Sequence, residues 1–104
     1  MNNRTLHWQC TSSKLVLSGK LDRDTLMVLW QQRKSIMTNI NTIDVRALER
    51  VDSAGLALLV HLREIVRMQG DTLIFTGITD KLQSLIILYN LQQIIVSEKE
   101  TISL

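Results

Sequence analysis

The chain has 104 residues, the size of one domain, and its 45% hydrophobic and 21% charged residues are typical of a globular protein rather than a disordered one. The 12 basic and 10 acidic side chains give a net charge of +2, which is too small and too evenly spread to indicate nucleic-acid binding or a polybasic membrane anchor. The single cysteine, Cys10, excludes an intramolecular disulfide. No apolar run approaches the roughly 18 to 20 residues of a membrane span, so we expect a cytoplasmic protein that does not insert into a membrane.

The N-terminal segment predicts a β-hairpin. Leu6 and Trp8 alternate with polar residues, which predicts a strand over residues 5–10. After a short polar turn, residues 14–18 are rich in strand-forming side chains and predict the second strand. Gly19 is expected to end that strand.

A long amphipathic segment follows the hairpin and predicts the first helix. Asp22 or Asp24 starts it, because either carboxylate can accept hydrogen bonds from the free amides of a first turn. Apolar residues then recur every three or four positions as far as Ile40, which is the spacing of one helix face. Residues 42–45 predict the next short strand.

The second half of the chain alternates between helical and strand patterns. Asp52 and Ser53 precede a helix over residues 54–69, which Gly70 closes. The remaining predicted elements are a strand over 72–76, a helix over 81–89 and a short strand over 94–96. The order β-β-α-β-α-β-α-β predicts a single α/β domain over residues 1–104, with a small mixed sheet, helices packed against it and a flexible tail over 97–104.

The helices over 54–69 and 81–89 are apolar around most of their circumference, whereas an amphipathic helix needs only one apolar stripe. One interpretation is that both are fully buried between the sheet and each other. Another is that part of their apolar surface stays exposed for a protein partner, because large exposed apolar patches mark interfaces. A third interpretation is that these apolar residues belong to a small-molecule or lipid-binding domain.

Ser53, at the start of a helix, is the side chain best placed for a regulatory switch by phosphorylation. It is expected either to cap the helix or to carry a phosphate, which free amides and the helix dipole would stabilise. Nucleophilic catalysis is disfavoured, because the sequence Asp-Ser-Ala-Gly lacks the glycine two residues before the serine of hydrolase elbows. His61, two turns along, is expected to point away from Ser53. We expect no enzymatic activity, no catalytic residue, no metal and no cofactor.

Two short motifs resemble the STAS domain family. They are Gly19-Lys20-Leu21-Asp22, which follows a strand, and Asp52-Ser53-Ala54-Gly55-Leu56, which opens a helix about thirty residues later. The family includes bacterial anti-sigma factor antagonists and the cytoplasmic tails of sulfate transporters. The resemblance covers essentially the whole chain and implies the same SpoIIAA-like fold. Within the family, the chain most resembles STAS subunits of ABC systems that move phospholipids to maintain outer-membrane lipid asymmetry. The residues that carry this closer resemblance are Ser18-Gly19-Lys20-Leu21-Asp22 with Leu29-Trp30, Arg50-Val51-Asp52-Ser53 with Leu56-Ala57-Leu58-Leu59 and His61-Leu62, and Leu88-Tyr89-Asn90-Leu91.

The resemblance implies a non-enzymatic subunit that binds the ATPase of an ABC transporter, and indirectly its permease, at the cytoplasmic side of the inner membrane. The implied partner-binding residues are Asp22, Asp52, Ser53, Ala54, Gly55 and Leu56. Ser53 occupies the position at which antagonists carry their phosphorylated serine, so an anti-sigma factor antagonist switched by phosphorylation is the alternative. Ala54 replaces the second serine that is common in antagonists, which favours the interpretation as a transporter subunit.

Overall fold

The computed structural model describes residues 5–97 and shows a mixed four-stranded sheet with helices packed against it. β1 (Leu6–Thr11) pairs antiparallel with β2 (Lys14–Leu21). β2 pairs parallel with β3 (Thr42–Val51), which pairs parallel with β4 (Ile74–Thr76). The strand order is therefore β1-β2-β3-β4, and the predicted small mixed sheet after an opening hairpin is confirmed.

Four helices connect or follow the strands. They are α1 (Leu26–Gln31), α2 (Arg33–Ile36), α3 (Ser53–Met68) and α4 (Asp80–Leu88). α3 is the central helix, since it contacts α1, α4 and β3. Over residues 5–97, no helix combines the length and the apolar character needed to cross a bilayer.

The core lies between one face of the sheet and the inner side of α3. In β2 and in the first half of β3, buried residues alternate with more exposed ones, so these two central strands bury one side, as their alternating sequences predict. α3 contributes a buried stripe at helical spacing: Gly55, Leu56, Leu58, Leu59, Leu62 and Val66. Six of the 16 residues of α3 thus belong to the core, and the remaining residues are exposed or half-buried.

The predicted first helix is shorter than expected and is interrupted. A turn precedes it, in which the Asp22 carboxylate accepts hydrogen bonds from the amides of Asp24 (2.9 Å) and Thr25 (3.1 Å). Gln32 has φ −105° and ψ 11°, which departs from helical geometry and separates α1 from α2. At this break the Arg33 guanidinium donates to the Trp30 carbonyl at 2.7 Å.

The strands also differ from their predicted bounds. β2 continues through Gly19, which has a φ of +92° that side chains rarely adopt, and ends only at Leu21. The predicted strand over 94–96 is wrong: the amides of Ile94 and Ile95 both bond to the Leu91 carbonyl, which forms a local turn. Strand character is limited to an isolated parallel bridge between Phe75 and Ser97. Residues 98–104 of the predicted tail lie outside the described residues.

Candidate functional site

Asp52, rather than Ser53, caps α3. Its backbone is extended, with φ −102° and ψ −174°, and its Oδ1 accepts a hydrogen bond from the amide of Gly55 at 2.8 Å. Ser53 is the first residue of the helix. The interpretation of Ser53 as the cap is therefore wrong, because the preceding aspartate already holds the third helical amide.

The same aspartate joins two loops. Its Oδ2 accepts a hydrogen bond from the amide of Arg23 at 3.2 Å, and its own amide donates to the Leu21 carbonyl at 3.3 Å. β2 and β3 are parallel neighbours, so their C-terminal ends lie side by side, and both loops begin there. The two motifs that the sequence singled out, around Asp22 and around Ser53, are thus brought together. Asp22 is only 8% exposed and is occupied in holding its own turn.

Gly55 and Leu56 are the buried residues in the first turn of α3. A Cβ added at Gly55 would lie 2.9 Å from the carbonyl carbon of Leu21 and overlap its oxygen, so only glycine allows the first turn of α3 to approach the end of β2 this closely. Leu56 is 2% exposed and belongs to the core. Both residues fix where the first turn of α3 sits, while Ser53 is exposed and Ala54 is half-buried.

A shallow groove of about 310 Å³ opens beside Ser53. Its lining comes from the outer face of α3 and from the chain that follows α4. We call it the Ser53 groove; it is lined by Ser53, Leu56, Ala57, Val60, His61, Tyr89 and Leu91. In the part of the chain described here, the Ser53 hydroxyl makes no hydrogen bond to another residue, so it is available at the rim.

His61 lies in the groove together with Ser53, and the expectation that it points away is wrong. Residues spaced by four share a helix face, so Ser53, Ala57 and His61 form one outward row along α3. The His61 ring also meets Trp30 of α1 edge-on, with ring centroids 5.1 Å apart. The Arg33 guanidinium stacks over the Trp30 ring, 3.7 Å from the ring centre. The spacing of four residues in the sequence could have predicted the row on α3, whereas the contact between His61 and Trp30 depends on how α1 packs against α3.

The charged residues of α3 lie about three turns beyond Ser53. The hydrogen bond from Arg67 lowers the pKa of Glu64, and the same bond raises the pKa of Arg67. Arg63 adds a second, looser ion pair to Glu64 at 3.5 Å. Among residues 5–97, no three His, Cys, Asp or Glu side chains come together in a way that could hold a metal ion.

Some of the solved structures that share this architecture are described as anti-sigma factor antagonists. The unphosphorylated form of SpoIIAA matches with a TM-score of 0.61 and 14% identity, covering 80% of this chain and 82% of that one. A protein from Thermotoga maritima, described as a putative anti-sigma factor antagonist, matches with a TM-score of 0.66 and 16% identity, covering 92% and 90%. At these identities the likeness establishes the class of fold, a SpoIIAA-like α/β domain.

Sequence comparison gives the family. A family model described as "Mlab, STAS domain" matches residues 5–97. The intermembrane phospholipid transport system binding protein MlaB of Escherichia coli is 42% identical over 89 residues, which cover 86% of this chain and 92% of that protein. MlaB of Shigella flexneri matches to the same extent. The chain belongs to the MlaB family of STAS domains, which confirms the resemblance drawn from the two motifs.

Proposed function

We propose that this chain is the non-enzymatic STAS subunit of a phospholipid-transporting ABC system that maintains outer-membrane lipid asymmetry, and that it binds the ATPase subunit through the Ser53 groove. It would thereby sit at the cytoplasmic side of the inner membrane. The observation that carries the proposal is that Asp52, which directly precedes the groove residue Ser53, joins the loops of both family motifs. The transport system is proposed from the relatives at 42% identity, both of which are binding proteins of an intermembrane phospholipid transport system.

The apolar residues around the groove support a protein partner. Leu88 is 72% exposed, Ile87 53% and Tyr89 48%; all three lie at the C-terminal end of α4, and Tyr89 itself lines the groove. Large apolar side chains clustered at one place on a surface are typical of interfaces. Tyrosine at such a position adds a large, rigid contact with a polar end.

The groove suits recognition better than catalysis. The first turn of α3 supplies Ser53 and Leu56 to the groove, and it is held in place by the close approach of Gly55 to Leu21 and by the Asp52 hydrogen bonds, so a partner meets a preformed surface. A subunit of this kind acts by binding one conformation or assembled form of the ATPase more tightly than the others, which shifts the population toward that form. The subunit contributes no chemical step to ATP hydrolysis in this mechanism.

An anti-sigma factor antagonist is the second candidate, and one observation favours it. The Ser53 hydroxyl is exposed at the first position of α3, where a phosphate would meet free backbone amides and the positive end of the helix dipole. In that case a kinase, rather than an ABC ATPase, would bind the Ser53 groove. The two candidates share a surface and differ in the protein that occupies it.

Binding of the purified ABC ATPase subunit to Ser53→Glu and Ser35→Glu variants tests the proposal. Both serines are exposed and lie in helices, Ser53 in α3 and Ser35 in α2, but only Ser53 lines the groove. We expect Ser53→Glu to weaken ATPase binding at least tenfold, because a partner would bury the new charge without a counter-charge. Ser35→Glu should bind as the unaltered protein does. Equal affinities for the three proteins would contradict the proposed surface, and binding of an anti-sigma kinase with no binding of the ATPase would establish the second candidate.

A further inference from the structure

β1 forms an open edge of the sheet without the features that usually protect one. All six residues of Leu6–Thr11 are paired with β2 in a continuous register, with no bulge. The segment contains no lysine, no carboxylate and no proline, which are the usual devices against edge-to-edge pairing. The opposite edge differs, because β4 is only three residues long and is bridged by Ser97.

The hydrogen-bonding groups on the open edge can be assigned. The Lys20 amide donates to the Thr5 carbonyl at 3.0 Å, so the Thr5 carbonyl is directed toward β2 rather than toward the open edge. Bonded and non-bonded pairs alternate along an antiparallel ladder, which directs the backbone groups of His7, Gln9 and Thr11 toward β2. The residues whose N–H and C=O groups point outward are Leu6, Trp8 and Cys10. Within residues 5–97, β2 is the only strand beside β1.

These outward groups are self-complementary. A second copy of β1 placed antiparallel, with the two-fold axis at Trp8, sets Trp8 against Trp8 of the second copy and Leu6 against Cys10 of the second copy. Every outward N–H then faces a carbonyl, and the two strands bond through all three outward positions of each copy. Paired residues also share a face of the sheet, so the buried side of one copy continues into that of the other.

We propose that β1 is a homodimer interface, in which two copies of this chain join edge to edge into one continuous eight-stranded sheet, four strands from each copy. Self-pairing brings no like-charged Lys, Arg, Asp or Glu side chains together, because the strand contains none of them. One pair of six-residue strands forms a small interface, so the dimer is weak and depends on concentration. The Ser53 groove is not part of this interface, and the proposal does not depend on the identity of the groove's partner.

Sedimentation of the full chain from about 5 to 500 µM tests for the dimer. The variant is Cys10→Pro, which removes an outward N–H but none of the bonds to β2. Its control is Cys10→Thr, which keeps the N–H at the same exposed position. We expect the unaltered protein and Cys10→Thr to dimerise, and Cys10→Pro to raise the dissociation constant at least tenfold. A protein that stays monomeric throughout this range, or a folded Cys10→Pro variant that still dimerises normally, would overturn the proposal.

Disulfide trapping tests the register and remains informative if Cys10→Pro fails to fold. In the proposed pairing, Leu6→Cys stands opposite Cys10 of the second copy with Cα atoms about 5.5 Å apart, within reach of a disulfide. Mild oxidation should therefore give a covalent dimer. The unaltered protein and a Leu6→Cys/Cys10→Ser variant should not crosslink, because like cysteines would be roughly 13 Å apart along the strands. Crosslinking in these controls, or none in Leu6→Cys, would overturn the register.

Discussion

Replacing Asp52 by alanine should destabilise the protein far more than replacing Ser53. The Asp52 carboxylate accepts two backbone hydrogen bonds, from the half-buried Gly55 amide at 2.8 Å and from the exposed Arg23 amide at 3.2 Å. Loss of a helix cap costs about 1 kcal/mol, and up to about 2 where the amide is left without a partner. Water can replace the carboxylate at the exposed Arg23 amide, so that bond adds at most about 0.5 kcal/mol.

We therefore expect Asp52→Ala to lower the free energy of unfolding by about 1.5 kcal/mol and the Tm by roughly 6 to 10 °C. Asp52→Asn keeps an acceptor for the Gly55 amide and should retain most of that stability. Ser53→Ala removes a hydroxyl without a described partner and should change stability by less than about 0.5 kcal/mol. Urea and thermal unfolding followed by circular dichroism measure all three. A Ser53→Ala variant as unstable as Asp52→Ala would refute the assignment of Asp52 as the cap.

Three further outcomes are expected. Gly55→Ala should destabilise the fold by about 2 kcal/mol in urea unfolding, because the new methyl group overlaps the Leu21 carbonyl and forces α3 off the sheet; unchanged stability would show that the helix shifts freely. Ser53→Glu should melt no lower than Ser53→Ala, since a negative charge at a helix N-terminus is favourable, and a lower Tm for the glutamate would contradict this. The hydrogen bond from Arg67 lowers the pKa of Glu64 from its ordinary value of about 4.5, so the ion pair stabilises the fold above that pH and this stabilisation is lost as the pH falls through the lowered pKa. Glu64→Gln should therefore remove the part of the acid destabilisation that comes from this ion pair. The same pH dependence of the unfolding free energy in both proteins would contradict this prediction.

The order of elements could be predicted because strand and helix periodicities are strong in this chain. The alternation of Leu6 and Trp8, and the apolar spacing within residues 54–69, each select one type of structure. The far end of β3 was missed because residues 46–51 are mostly exposed and pair only with β2, so they show no clear burial pattern. The strand predicted over 94–96 fails because local turn hydrogen bonds satisfy its backbone.

The site was predicted only in outline. The sequence placed Asp52 and Ser53 together at a helix start, but both residue types are good caps, and the choice between them depends on backbone angles that the sequence does not display. The role of Gly55 depends on the approach of a strand from a distant part of the chain. Tyr89 reaches the groove from the end of α4, which only the packed fold reveals.

Photo-crosslinking from Ala57 tests the central claim most directly. Ala57 is exposed in the row between Ser53 and His61 and lines the groove. A photoreactive amino acid at this position, in living cells of the source organism, should capture the ABC ATPase subunit, while the same amino acid at exposed Ser35 should not. Capture of an anti-sigma kinase at position 57, or capture of the ATPase from position 35 alone, would contradict the proposal that the Ser53 groove binds the transporter.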